Sequence, residues 1–143
     1  MPAARYDIYA EQGATFKLHM QYGYKGSTGI DLSNYTGAMQ VRRSSKDTGL
    51  LLFLSNTGVT GGGITGEFLI NGGIAGIGGI SFNTGIDGSS GVTGGIMMRV
   101  DYSTMENVPT GKHFYDMEIK NTAGEVIRLI EGTFEVPREI TRS

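Results

Sequence analysis

Asp116 and Glu118 stand two residues apart in a stretch of alternating polar and apolar residues, so on a strand both carboxylates project from one face. Such a pair is the equipment of glycoside hydrolysis, in which one carboxyl protonates the leaving oxygen and the other attacks or activates water. Lys112 and Lys120 share that face, however. Alternating charges on a strand are the ordinary composition of its solvent side, where cross-strand neighbours stabilise one another weakly. The pair is therefore read as a solvated face and no catalytic residue is assigned.

The remaining chemistry-bearing residues give no stronger signal. His19 and His113 each lie inside a strand pattern, His19 on the polar face and His113 on the apolar one. The first is expected to be solvated and the second to be a hydrogen-bonded histidine at the edge of the core. Neither a His-x-His nor a His-x-x-x-His pair occurs and cysteine is absent, so no metal site and no thiol nucleophile is expected. Asp87 and Asp101 lack the spacing of a calcium loop. No Gly-x-Ser-x-Gly elbow is present.

Glycine is the unusual component, with 24 residues in 143, against an average share of about 7%. Phosphate cradles use glycine, but the only Gly-Lys is Gly111-Lys112, followed by His113 rather than Ser or Thr. Gly73, Gly76, Gly78 and Gly79 are dense enough for a dinucleotide fingerprint, yet no helical pattern follows them. No cofactor is expected. The net charge of −2 offers no basic surface for nucleic acid, and the small cluster Arg42, Arg43, Lys46 is followed at once by Asp47. The longest apolar run, Leu50 to Leu54, is far short of a bilayer span, and no apolar stretch follows Arg5 as in a secretory leader.

The chain divides into three zones by its glycine content. In the first, Ala14, Phe16, Leu18, Met20 and Tyr22 alternate with polar residues, a half-buried strand. Tyr6 and Ile8 suggest a short strand before it, with Gln12-Gly13 as the turn, and Tyr24 to Gly29 forms a turn after it. Tyr35, Gly37, Met39 and Val41 share the face of a second strand, and Leu50 to Leu54 suits a buried one. In the third zone, Ile96, Met98 and Val100 alternate, and Ser103 to Glu106 has capping-box spacing for one helical turn that Pro109 limits. His113, Tyr115, Met117 and Ile119 line one face of a strand. Asn121 to Gly124 makes a hairpin turn, Val126 to Ile130 returns, and Thr133 to Val136 is a last strand.

The middle zone, about 56–95, holds 15 of the 24 glycines, with Gly-Gly-Ile beginning at Gly62, Gly72, Gly78 and Gly94. Its irregular spacing excludes a solenoid. Short strands are expected at Glu67 to Ile70 and Ile80 to Phe82. The interspersed isoleucines argue for an extended hairpin or arm that orders against a neighbouring subunit rather than for a linker. The chain as a whole, 1–143, reads as a single all-β domain, a β-sandwich of six to nine short strands with a Gly-rich insertion. Candidate subunit-interface residues are Tyr24, Tyr35, Ile64, Phe68, Ile74, Ile77, Ile80 and Phe82. Tyr24, Tyr35, Tyr102 and Phe114 are aromatics that the core cannot all absorb.

Beyond these patterns, the flanking zones resemble small phage virion proteins, in particular the N-terminal domain of baseplate upper proteins and related tail or neck modules. The residues that carry the likeness are Gln12 to Phe16, Ile30 to Thr36, Met39 to Arg42, Tyr115 to Ile119, Arg128-Leu129, Glu131-Gly132 and Glu139 to Arg142. The resemblance implies an immunoglobulin-like antiparallel β-sandwich in a non-enzymatic tail adaptor located in the virion. Its partners would be other virion proteins and copies of itself, with no small-molecule substrate, nucleic acid or membrane. In physical terms, Asp31 is placed to hydrogen-bond local backbone, and Arg42 to reach a carboxylate across the sheet. Two other readings fit the composition. One is a capsid decoration or cement protein, which copy number separates from a tail adaptor. The other is a carbohydrate-binding module at the host surface, which needs aromatic platforms and is weakened by the absence of Trp.

Overall fold

The computed structural model describes residues 3–23, 29–43, 51–56, 60–61, 64–65, 68–70, 74–75, 78–85 and 91–138, with backbone pairing alone given between 60 and 75. The chain is an all-β sandwich. Its centre is the hairpin of β12 (Gly111–Lys120) and β13 (Val126–Val136), the longest pair of strands described. The turn between them closes on one side chain: Asn121 Oδ1 accepts the N–H groups of Ala123 at 3.0 Å and Glu125 at 2.9 Å, an Asx-type turn. Gly124, at φ 86°, supplies the left-handed residue the turn needs.

From that hairpin the large sheet grows in both directions. β4 (Thr36–Arg42) pairs with β12, and β5 (Leu52–Ser55) pairs with β4, both antiparallel. On the far side of β13 lie β1 (Ala4–Arg5) and β2 (Ile8–Tyr9), and both run parallel to it. The sandwich is therefore not wholly antiparallel. The two segments come from opposite ends of the chain, so no hairpin dictates their relative direction. The facing sheet has β11 (Gly95–Val100) in the middle, with β10 (Gly78–Phe82) and β3 (Phe16–Gln21) antiparallel on either side.

The Gly-rich zone is divided between these layers. β8 (Phe68–Ile70) and β9 (Ile74–Ala75) continue the large sheet beyond β5, and β6 (Thr60–Gly61) pairs with β7 (Ile64–Thr65) as a separate two-stranded ribbon. Its last strand, β10, is integral to the sandwich, with Gly78, Gly79 and Ile80 buried. The expected arm thus ends before β10.

The strict alternation of β12 sends His113, Tyr115, Met117 and Ile119 inward. Tyr115, Met117 and Ile119 join Met39 and Val41 of β4, Leu52 and Leu54 of β5, and Ile80, Ile96, Met98 and Val100 of the opposite sheet in one apolar core. Phe16 and Phe134 join the layers edge to face, ring centres 5.5 Å apart, a geometry that aromatic quadrupoles favour.

Two expectations are corrected. Val126 to Ile130 and Thr133 to Val136 are one strand, not two. Met117 faces Ile130 while Glu118 faces Arg128, so Leu129 is an extra residue in a β-bulge. The bulge switches which residues point inward, and that phase break is why the alternation reads as two elements. The helical turn α1 (Tyr102–Met105) exists, but its cap is Asp101, not Ser103. Asp101 Oδ2 accepts from Ser103 N–H at 3.3 Å and from its hydroxyl at 2.6 Å, while Glu106 closes the other end. Finally, of the loop expected at Tyr24 to Gly29, residues 24–28 lie outside the described residues, and a bridge between Gly23 and Gly29 closes its base.

Candidate functional site

The outward face of β4, β12 and β13 carries a set of polar side chains whose positions the ladder fixes. Register aligns them in rows across the sheet: Arg42, Phe114 and Thr133; then Gln40, Asp116 and Glu131; then Ala38, Glu118 and Arg128. Each row contributes side chains to the same face because neighbours in register share their side of the pleat. Arg42, Gln40, Phe114, Asp116, Arg128 and Glu131 line a shallow groove of about 390 Å³, with Arg5 of β1 at its margin. Phe114 is its apolar member and is 43% exposed.

Electrostatically, Arg128 organises one side of this groove. Its Nη2 donates to Glu118 Oε1 at 3.0 Å, and its Nε lies 3.7 Å from Asp116 Oδ2. The Glu118 bond is the main reason the guanidinium holds its proton more tightly than usual. Asp116 shows the opposite balance. Burial at the groove floor pushes its carboxyl above the ordinary value, a shift that Arg128 and Arg42 oppose and Glu118 and Glu131 reinforce. The Arg42 side chain donates to Gln40 Oε1 at 2.9 Å. Asp116 and Glu118 do share a face, as expected, but the residues that set their behaviour, Arg128 and Arg42, come from the neighbouring strands. Single-chain spacing carries no signal for cross-strand register, which is why Arg128, Glu131 and Gln40 were not anticipated here.

The N-terminal segment is locked beside this groove by groups on β12 and β13. Tyr115 donates its hydroxyl hydrogen to the Tyr6 carbonyl, and burial is the first cause that raises its phenol above the ordinary range. Asp7 Oδ1 accepts the N–H of Thr133 at 3.0 Å, which is the main reason its carboxyl titrates low. Arg5 pairs with Asp7 at 3.2 Å. A second hollow, about 310 Å³, lies between this segment and β3, beside Tyr6, Tyr9 and Lys17.

A polar hub joins three loops at one end of the sandwich. Asn83 Oδ1 accepts the N–H groups of Leu32 and Gly94, both at 3.1 Å, and its Nδ2 donates to Asp31 Oδ1 at 3.0 Å. Asp31 also accepts from the backbone and hydroxyl of Ser33, the local bonding expected of it, and these bonds hold its carboxyl low.

The two histidines separate. His113 is 3% exposed, and its Nε2 lies 2.8 Å from the Pro109 carbonyl, as expected of a hydrogen-bonded core-edge residue. His19 is not simply solvated: its Nε2 lies 2.7 Å from the Thr84 carbonyl and the contact is partly buried. Among the described residues no group of three His, Asp or Glu is placed to hold a metal ion.

Of the candidate interface residues, Tyr35, Ile80 and Phe82 have described side chains. Ile80 is fully buried, and Tyr35 and Phe82 pack on the core from its margin. Ile80 and Phe82 belong to β10, an outer strand of the facing sheet, and a sandwich must fill its inner face from both layers. For Ile64, Phe68 and Ile74 only the backbone is described, in β7, β8 and β9. Tyr24 and Ile77 lie outside the described residues. The large apolar side chains that do reach the surface include Tyr6, Tyr9, Tyr102 and Phe114. Tyr102 and Phe114 are among the four aromatics that the core cannot all absorb, and Tyr6, expected in a short strand with Ile8, lies between β1 and β2.

No protein-family model matches the chain, and no curated protein matches it in sequence.

Proposed function

We propose that this chain is a non-enzymatic structural protein of a phage particle, an immunoglobulin-like adaptor of the tail baseplate or neck. It works by fitting into an assembly through β-mediated contacts with other virion proteins and copies of itself.

The observation that supports this reading is the way the Gly-rich zone extends the large sheet. β8 and β9 add to β5, so backbone from that zone becomes the outermost strand on that side of the sheet order. An outermost strand offers N–H and C=O groups to another chain, the basis of β-augmentation. Glycine-rich sequence favours that use because its backbone can be approached closely. The likeness of the flanking zones to baseplate and neck modules adds to it.

Quantitative mass spectrometry of gradient-purified particles tests the proposal. The chain is expected at a fixed ratio to known tail proteins and well below the major capsid subunit. A ratio matching the capsid lattice would replace the tail assignment with a decoration role. Recovery only in the unassembled fraction would contradict both.

A further inference from the structure

The N-terminal segment, residues 4–10, is paired to one sheet and continues in the chain into the other. β1 and β2 lie parallel along β13. The next strand, β3, is an outer strand of the facing sheet and pairs with β11. Residues 10–15 connect them through a turn in which Ala14 N–H donates to the Glu11 carbonyl at 3.2 Å and Gly13 sits at φ 78°. The bonds that hold the segment run to β12 and β13. Tyr6 and Ala10 N–H donate to the Glu131 and Glu135 carbonyls, both at 2.9 Å. Thr133 N–H donates to Asp7 Oδ1, and the Tyr115 hydroxyl donates to the Tyr6 carbonyl. Among the described residues no hydrogen bond joins residues 4–10 to β3, and the hollow of about 310 Å³ lies between the two.

The slot along β13 is shaped for this segment and is costly to leave empty. Ile8 and Ala10 are buried, so their departure opens the core. It also strands the buried Tyr115 hydroxyl, a donor that then lacks its acceptor. Gly132 leaves the space that the Tyr6 carbonyl fills, since a Cβ there would meet it at 2.5 Å. None of these contacts depends on segment and slot sharing a chain. The segment of a second copy makes the same bonds, which is why exchange of a terminal element loses little free energy. The change it needs is confined to the connection, where the turn at Glu11 to Ala14 opens and the backbone runs outward. Chain connection favours the closed form through proximity, equivalent to an effective concentration on the order of millimolar for a short link. Copies held side by side in an assembly reach that range.

We propose that β1 and β2 form an exchangeable arm: the N-terminal segment of one copy docks in the β13 slot of a second copy, with Glu11 to Ala14 as the hinge. The arm gives the contacts between copies a definite strand, and it rests on the proposed function only for the setting in which copies meet. It is measured on the isolated chain, so its failure leaves the copy-number test above untouched.

The chain has no cysteine, so introduced thiols report the exchange without background. Arg5 and Glu131 are exposed partners in register on neighbouring strands, within reach of a disulfide. Arg5→Cys and Glu131→Cys are made as separate full-length variants, refolded together at about 1 mM and oxidised. A covalent heterodimer joined between positions 5 and 131 is expected, identified by peptide mass spectrometry. Refolding at about a hundredfold below the effective concentration should abolish it. The double variant, refolded dilute, should close within one chain, which shows that both substitutions leave the slot intact. Gly13→Val strains the turn of the closed form, so in the cysteine-free chain it should raise the dimer-to-monomer ratio, read by sedimentation velocity, by about fivefold or more. Absence of the heterodimer while the double variant closes overturns the proposal. So does linkage of each single variant only to itself, or a ratio that Gly13→Val leaves unchanged. Sedimentation of the unsubstituted chain is the second reading: a monomer at every concentration up to about 1 mM overturns the proposal whatever the thiols report.

Discussion

Asn83 occupies the left-handed region at φ 54° and uses its whole side chain, accepting from Leu32 and Gly94 and donating to Asp31. Asn83→Ala removes the acceptor of two backbone N–H groups and places a Cβ-bearing residue without local compensation in that region. A loss of about 2–4 kcal/mol is expected in urea unfolding. Asn83→Gly should recover only the smaller, conformational part. Asp116 gives a different expectation, set by its raised carboxyl. Between the ordinary carboxylate value of 3.8 and that raised value, the folded state binds more protons than the unfolded chain. Stability from this group therefore falls as pH rises through that window. Asp116→Asn should be more stable than the parent at pH 7, and the difference should vanish below the unfolded value. Unfolding midpoints across pH check this, and an advantage that grows toward low pH would contradict it. At this scale the sequence disclosed only local bonds. Asp31 with Ser33 was readable because the partners are two residues apart, whereas Asn83 meets Asp31 across 52 residues that no spacing rule connects.

Elements were legible where alternation was clean and opaque where it changed phase. β12 reads directly as a strand because four inward residues, His113, Tyr115, Met117 and Ile119, recur at every second position. β13 does not, because the bulge at Leu129 reverses the pattern halfway. The parallel attachment of β1 and β2 was beyond reach, since short strands at opposite chain ends leave no hairpin signal. Gly132 marks the place where that attachment happens. A Cβ there would lie 2.5 Å from the Tyr6 carbonyl oxygen and 2.8 Å from Asp7 Oδ1. Gly132→Ala must push the N-terminal segment away from β13, at a cost of about 1–3 kcal/mol. Hydrogen exchange should show faster exchange at the Tyr6 and Ala10 amides, which bond to Glu131 and Glu135. Unchanged protection there would mean the segment is held by other contacts.

The whole molecule is a division of labour between two faces of one large sheet. Its inner face, closed by β3, β10 and β11, holds the core that makes the chain fold. Its outer face carries charge and Phe114 in fixed register, and its margin beyond β5 is built from the Gly-rich zone. The sandwich was legible from the number and shortness of the strands. The sharing of the Gly-rich zone among three sheets was not, because isolated isoleucines between glycines do not reveal which sheet each joins. The proposed role, a structural part of a phage tail joined to neighbours through its strands, is tested by cryo-EM of the intact particle. Density for this sandwich is expected on a symmetric tail ring, with a strand of a neighbouring chain paired along β9 or another sheet margin. A particle whose tail and capsid density is fully occupied by other chains would contradict it.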